Sequence, residues 1–363
     1  MPIPKSIILI TCAGLTACTS DFLKPKFPQA QCTRISLLDN GKAVIGVEDM
    51  VYDETAQTLY LSAYDRRTHS SGGIYGLPLA NAATAAALTV TPILTDIHPH
   101  GMDLIRDGSK LTLSFIDRQG DENERNPVIR TISWQDETPN SLTEGQSFTG
   151  AELCASNNLV RTPNWDSNEA PIYVTQDHKT CTRKAQSREN IFSPNQASMG
   201  WINSEIPVPK NVLTDLSFAN GIAFSENLDV IYVAETRKKR VVVKHPHYFN
   251  TTPIKLSGGP DNLTRNKDDI YAALIPNLLA YSRFQKKPKK RVKSRFSIIT
   301  PTFFPRGDKP RENFATFSTV TYDVPAPVIS GASVAVKAGE YIWLGSAYDT
   351  AIARCTLLES SSL

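Results

Sequence analysis

One pattern recurs six times along this chain, and it limits the fold more than any other feature. A pair of polar or small residues opens each copy, an apolar residue follows, and a turn then leads into a β-rich run. The copies open at Glu48-Asp49-Met50, His100-Gly101-Met102, Asn157-Asn158-Leu159, Asn220-Gly221-Ile222, Asp261-Asn262-Leu263 and Gly331-Ala332-Ser333. Their starts lie roughly 40 to 70 residues apart, the length of a four-stranded blade with variable loops. Runs such as Tyr60-Leu61-Ser62-Ala63 and Ile231-Tyr232-Val233-Ala234 carry the β-branched and aromatic residues of strands. The repeat therefore predicts an all-β fold, a six-bladed β-propeller spanning residues 32–358. In such a ring the innermost strands surround one axis, so equivalent positions converge across a tunnel.

The N-terminus reads as an export signal. Lys5 precedes a short apolar run ending in Leu15-Thr16-Ala17-Cys18, too short to span a bilayer. A leucine and two small residues before a cysteine resemble the lipobox of bacterial lipoproteins. That resemblance implies a signal peptide over 1–17, a lipidated Cys18 and a tether over 18–31. Acyl chains contribute about 0.8 kcal/mol per buried CH₂, enough for several chains to hold a soluble domain on a membrane. Thr19, in place of aspartate, points to the outer membrane by the sorting rule of such proteins. The alternative is an ordinary secretory signal with an incidental cysteine.

Export implies an oxidising compartment, and Cys32, Cys154, Cys181 and Cys355 are left in the mature chain. Four cysteines allow three pairings. A Cys32–Cys355 bond would join the ends of the ring. Cys154 and Cys181 would then be either bonded or free buried thiols. The net charge of +3 is too small for a nucleic-acid binder. One strongly basic stretch stands out, Gln285–Arg295, with seven Lys or Arg and no acid. It reads as a long loop between blade strands, either simply solvated or touching anionic headgroups. Thr300–Pro327, rich in Pro, Phe and Thr, reads as a loop over the tunnel mouth. Tyr64, Trp201 and Tyr348 are candidates for a substrate pocket.

The converging residues offer oxygen donors. Glu48, Asn157, Asn220, Asp261 and Asn262 supply two carboxylates and three amides, a hard set suited to one Ca²⁺. Without a cysteine or histidine cluster, the pattern excludes zinc and copper sites.

Several segments together resemble the paraoxonase/arylesterase family, related to strictosidine-synthase-like and gluconolactonase propellers. They are Gly46-Val47-Glu48-Asp49-Met50, Pro99-His100-Gly101-Met102, Ser156-Asn157-Asn158-Leu159-Val160, Phe218-Ala219-Asn220-Gly221-Ile222, Asp261-Asn262 and Gly331-Ala332-Ser333-Val334. Gln176-Asp177-His178 also matches a family segment, and Cys32 and Cys355 match the family's ring-closing disulfide. The resemblance implies a calcium-dependent hydrolase of carboxylic esters or lactones, with the five tunnel residues as ligands of a catalytic calcium. It implies a second, structural calcium on Asp49, Asn158 and a main-chain carbonyl near Met102. Asn158 stands where the family carries aspartate, which lowers the charge of that second site. His100 matches the first histidine of the family's proton-shuttling pair. The second should fall near Ile116-Asp117, and Asp117 stands there, where a carboxylate could orient His100 or raise its pKa. The competing readings are a non-catalytic, calcium-stabilised binding propeller on the bacterial envelope and a strictosidine-synthase-like chemistry.

Overall fold

The computed structural model describes residues 27–80, 82, 84–120, 125–136, 138–162, 170–225, 230–245, 251–304 and 314–357. The expected signal peptide, Cys18 and most of the expected tether lie outside the described residues. Among those described, no helix is long and apolar enough to cross a membrane.

Five repeats each fold as an antiparallel four-stranded sheet, and a sixth closes the ring. The six innermost strands are Val47–Asp53, Pro99–Asp107, Ser156–Arg161, Ala219–Phe224, Gly259–Asn266 and Val334–Ala338. Each opens at or beside the residues singled out in its repeat. Each packs against the inner strands of the preceding and following blades, and the last returns to the first. We number the blades in that order. The core lies between blades, as in the cluster joining Met50, Leu59, Leu61, Val334, Val336 and Trp343 of blades 1 and 6. Alternation along the second strands places one face of each against a neighbouring blade.

Blade 6 is a composite. Its three C-terminal strands, Val334–Ala338, Tyr341–Gly345 and Ile352–Thr356, are joined by the first strand of the chain, Gln31–Asp39. Cys32 lies directly opposite Cys355 in that register, and the two form a disulfide. The two ends of the chain thus lock the ring, by backbone hydrogen bonds and by one covalent bond. Arg34 adds a side-chain latch to the same seam, reaching Asp349 at 2.8 Å and the Val328 carbonyl at 2.8 Å. Cys154 and Cys181 form the second disulfide, beside the connection from blade 2 to blade 3.

Because strands alternate in direction, the turn between the second and third strands of a blade lies at the end where inner strands begin. Two of these connections carry helices, Arg183–Phe192 in blade 3 and Leu278–Lys286 in blade 5. Thr182 and Asn277 cap them by accepting from the backbone N–H of Ala185 and Ala280. The basic stretch Gln285–Arg295 is thus only partly loop. Its first two residues end the second helix, and its last two begin the strand Ser294–Phe304. Among the described residues, the expected mouth loop over Thr300–Pro327 is mostly strand. Ser294–Phe304 and Phe314–Val324 pair as the outer half of blade 5, where Thr and aromatic residues suit a pleated ribbon.

Candidate active site at the tunnel mouth

The ladder between the first and second strands breaks at the same place in five blades. The register shifts fall between Val47 and Asp49, Pro99 and Met102, Ser156 and Leu159, Ala219 and Ile222, and Pro260 and Leu263. Each shift is a bulge that releases one or two residues from pairing and re-aims their side chains. The released residues are Glu48, His100-Gly101, Asn157-Asn158, Asn220-Gly221 and Asp261-Asn262. Blade 6 pairs without a shift and presents Ser333 instead. The bulges are therefore what turns a sequence repeat into a ring of inward polar groups.

Two glycines make the ring tight. A Cβ on Gly101 would stand 2.5 Å from Asn158 Cα, and one on Gly221 would stand 2.3 Å from Leu263 N. Neighbouring inner strands approach closely only because these positions have no side chain.

All five expected ligands are buried, at the starts of the inner strands of blades 1, 3, 4 and 5. Asn262 Nδ2 donates to Glu48 Oε1 and to the Glu48 carbonyl, each at 3.0 Å. Asn220 Nδ2 donates to Asp261 Oδ1. Asn157 Nδ2 donates to Asp177 Oδ2 at 3.1 Å. Ser333 Oγ donates to the Glu48 carbonyl at 2.7 Å, fixing the first blade against the sixth. What is left over matters most. Asn157 Oδ1, Asn220 Oδ1 and Glu48 Oε2 are buried and have no hydrogen-bond partner. Glu48 Oε2 lies 2.9 Å from His100 Nδ1, close enough for an ion pair but too poorly aligned for a hydrogen bond. A buried oxygen without a partner costs about 1–3 kcal/mol, and three at one tunnel end call for a common partner. The set is oxygen-only and carries the carboxylates Glu48 and Asp261, so it fits a hard dication. Among the described residues no group of three or more His, Cys, Asp or Glu forms. The amides therefore make up the majority of the donors.

Burial, then the charge of Glu48, raises the Asp261 carboxyl well above its ordinary value. Burial also opposes ionisation of Glu48, but His100, Arg66 and the Asn262 amide outweigh it and hold its pKa at about 2. Burial and the charges of Arg118 and Arg66 push His100 down to about 3, against the pull of Glu48. Near neutral pH the pair is a carboxylate beside a neutral imidazole.

The second expected site is assembled differently. Asp49 Oδ1 accepts from Met50 N and Asp49 Oδ2 from Met102 N, both at 2.9 Å. Asn158 Nδ2 donates to Asp49 Oδ2 at 3.3 Å and to Asn262 Oδ1 at 2.6 Å, while Asn158 Oδ1 accepts from Leu159 N. Asp49, Asn158 and Met102 do come together, but every polar atom meets a protein partner. Donors, among them the Met102 N–H, converge on the carboxylate. The three residues do not fit a cation as they stand.

Asp117 is not brought to His100. It is buried, and it accepts from His98 N at 3.0 Å and Gln119 Nε2 at 3.1 Å, with Arg130 at 3.5 Å. Pairing of Pro99 with Asp117 turns the next residue, Arg118, to the opposite face of the strand. Arg118 reaches the Ser156 carbonyl beside Asn157 at 3.3 Å. Arg66 arrives from blade 1, 3.1 Å from His100 Nδ1, and stacks 4.1 Å from the centre of the Tyr64 ring. Sequence reasoning missed both arginines. Their only signal is position: Arg66 follows the second strand Thr58–Asp65, and Arg118 stands near the end of the second strand Lys110–Gly120.

Asp177 and His178 form a further layer. His178 Nδ1 lies 2.7 Å from Asp177 Oδ1, and Nε2 lies 2.8 Å from Asn190 Oδ1 on the first helix. Tyr348 packs edge-on to Tyr281 of the second helix at the mouth. Trp201 lies on the third strand of blade 3, over Lys210, remote from the inner strands.

The arylesterase family model matches residues 68–357. A search of curated protein sequences finds no match. Among solved structures, a luciferin-regenerating enzyme is similar at 15% identity and a TM-score of 0.51, over 91% of this chain and 96% of its own. A gluconolactonase from Xanthomonas campestris is similar at 12% identity and a TM-score of 0.49, over 87% of each chain. The calcium-binding protein regucalcin from Agrobacterium tumefaciens is similar at 12% identity and a TM-score of 0.44, over 88% of this chain and 95% of its own. The first likeness carries the fold, and the family match covers blades 2 to 5, the two outer strands of blade 1 and the three C-terminal strands of blade 6. This chain belongs to the arylesterase family, a hydrolase family of ester and lactone type.

Proposed function

We propose that this protein is a calcium-dependent hydrolase of carboxylic esters or lactones. The observation that carries the reading is the trio of unpartnered buried oxygens, Glu48 Oε2, Asn157 Oδ1 and Asn220 Oδ1, beside Asp261 and Asn262. These five residues would hold one Ca²⁺. When bound, the cation polarises the substrate carbonyl and stabilises the oxyanion as it forms.

The side chains do the rest. Asn157 and Asn220 are fixed through their amide nitrogens by Asp177 and Asp261, so their oxygens keep one orientation. His100 is neutral and its Nε2 is unpartnered. Arg66 can only donate to His100 Nδ1, so Nε2 accepts the proton of the attacking water once the hydrogen stands on Nδ1 and that contact is released. The water oxygen bonds to the carbonyl carbon, the ester C–O bond breaks, and the proton passes to the departing alkoxide. Glu48 stabilises the transient imidazolium across 2.9 Å. Asp117 has no part in these steps. Through a lipidated Cys18 the domain would sit on the bacterial envelope. There the exposed Lys286, Lys287, Lys289, Lys290 and Lys293 would face anionic headgroups.

The test is hydrolysis of phenyl acetate and of several lactones, with Ca²⁺ and with chelator. Calcium-dependent turnover that falls at least about a hundredfold in His100→Gln supports the reading. A folded, calcium-loaded protein that turns over neither class would instead make it a binding propeller.

A further inference from the structure

The two helices at the mouth are held to the propeller in different ways. The second, Leu278–Lys286, buries Phe284. The first, Arg183–Phe192, buries Gln186 and Glu189, both polar, while Ile191 and Phe192 are 73% and 79% exposed. Helices in proteins draw most of their stability from packing an apolar face, and this one buries no apolar side chain.

Its fastenings are polar and covalent. Glu189 accepts from Lys179 N and Thr180 N at 3.1 Å and from Thr180 Oγ1 at 2.9 Å. Gln186 Nε2 donates to the Thr180 carbonyl at 2.9 Å. These bonds make one unit of the helix and the connection that precedes it. Arg237 of blade 4 donates to the Asn190 carbonyl at 3.1 Å, Asn190 Oδ1 faces His178 Nε2 at 2.8 Å, and Cys181 is bonded to Cys154. The disulfide is the covalent fastening among these.

Its place in blade 3 relates it to a tunnel ligand. Cys154 stands just before the inner strand that carries Asn157, and Cys181 just after the second strand, whose end leads into Asp177. The ladder between these strands ends with Ser156 opposite Gln176, followed by Asp177 N donating to the Ala155 carbonyl at 2.9 Å. The disulfide closes the same end. It clamps the two segments that meet in the Asn157–Asp177 hydrogen bond, the bond that leaves Asn157 Oδ1 for a ligand. Cys154, His178 and Lys179 line a cavity of about 380 Å³, which gives a small dithiol room beside Cys154.

We propose that the Cys154–Cys181 disulfide is a positioning device for the calcium ligand Asn157, acting through the first helix, His178 and Asp177, so that calcium affinity follows the redox state of this cysteine pair. This rests on the calcium-dependent reading proposed above and adds what holds one ligand in place. Opening the pair is a two-electron exchange. A dithiol thiolate attacks one sulfur and forms a mixed disulfide, and its second thiol closes the reagent's own ring. Both cysteines are left as thiols and the dithiol as a disulfide. The helix unit then loses its covalent fastening, Asp177 loses its fixed support through His178, and the Asn157 amide is free to turn.

The test titrates calcium calorimetrically into oxidised wild type and into Cys154→Ala/Cys181→Ala, which keeps the Cys32–Cys355 pair. An affinity loss of about tenfold is expected. Asp177→Ala lacks the bond through which the disulfide acts, so the same double replacement in that background should change affinity by less than about twofold. Dithiothreitol added to folded, oxidised Cys32→Ala/Cys355→Ala should reproduce the tenfold loss, about 1.4 kcal/mol, and reoxidation should restore the affinity. That arm keeps the test open if Cys154→Ala/Cys181→Ala does not fold. Exchange of the Asn157 side-chain amide, followed by NMR with isotope-labelled asparagine, reads the same positioning without metal and should quicken when the pair is opened. Unchanged calcium affinity on opening the pair overturns the inference. So does an equal loss in the Asp177→Ala background, which would mark general destabilisation. Wild type that binds no calcium overturns the calcium reading. The amide exchange then decides the positioning of Asn157 alone: faster exchange supports it, and unchanged exchange overturns it.

Discussion

Asn157 Nδ2 donates to Asp177 Oδ2 across 3.1 Å, and this bond decides which end of the Asn157 amide faces the tunnel. With the nitrogen engaged, Oδ1 is the atom left for a ligand. Asp177 in turn is held by His178, and His178 by Asn190. The position of a helix at the surface is thereby linked to the orientation of a group in the tunnel.

Breaking that link should weaken the metal site without deleting a ligand. In Asp177→Ala the amide can turn either way. Loss of such a supporting partner typically costs about 10–100-fold in metal affinity. Calorimetric titration of Ca²⁺ checks this, and unchanged affinity would exclude an orienting role for Asp177.

Asn158→Asp should convert a hydrogen-bonded floor into a metal site. The amide nitrogen now bridges Asp49 Oδ2 and Asn262 Oδ1. A carboxylate there would face Asp49 with no donor between them, an uncompensated like-charge pair worth about 1–3 kcal/mol of destabilisation in chelator. Calcium should restore the loss, and stoichiometry should rise from one ion to two. Equilibrium unfolding with and without Ca²⁺, together with a metal count, reads both effects.

The seam of the ring should respond to redox conditions. The Cys32–Cys355 bond spans 323 residues of sequence and lies within a paired ladder. Replacing both cysteines by alanine should cost about 2–5 kcal/mol, measured as the shift in denaturant unfolding under non-reducing conditions. The ladder from Gln31 to Ile35 stays paired, so the variant should still close its ring.

Acid should loosen the same seam. Burial pushes the Asp349 carboxyl up, but Arg34, the Ser330 N–H and Arg291 outweigh it and hold its pKa below the ordinary 3.8. A carboxylate with a depressed folded pKa stabilises the fold at pH values above 3.8, and that contribution is lost as pH falls through the folded value. Wild type should therefore lose stability below about pH 4 more steeply than Asp349→Asn. Thermal unfolding followed from pH 6 to pH 2.5 tests the difference in slope; matching slopes would remove Asp349 from the latch.

Close packing of inner strands gives another handle. Gly221→Ala would drive a Cβ to 2.3 Å from Leu263 N, between blades 4 and 5. Backbone cannot move aside there without parting the inner strands, so a loss of about 1–3 kcal/mol is expected, with weakened calcium binding because Asn220 is adjacent. Far-UV circular dichroism and calcium titration read the two consequences separately.

The sequence by itself determined the number of blades, the residues that open each inner strand, and the cysteines that close the ring. It could do so because each repeat is a local unit: alternation, turn residues and a polar pair all lie within a short stretch of chain. Convergence of Glu48, Asn157, Asn220, Asp261 and Asn262 followed from the symmetry of such a ring. Tertiary structure decided what surrounds them. Asp117 and Arg118 are neighbours in sequence, and only the strand pairing shows that the arginine faces the tunnel while the carboxylate turns to Arg130. Asn158 reads as a weakened ligand, yet its amide is the donor that joins Asp49 to Asn262. Thr300–Pro327 reads as a loop because Pro and Thr are frequent there, whereas pairing along the outer edge of blade 5 makes 300–304 and 314–324 strand. These outcomes depend on partners from other blades, and no window of the chain contains both sides of such a contact.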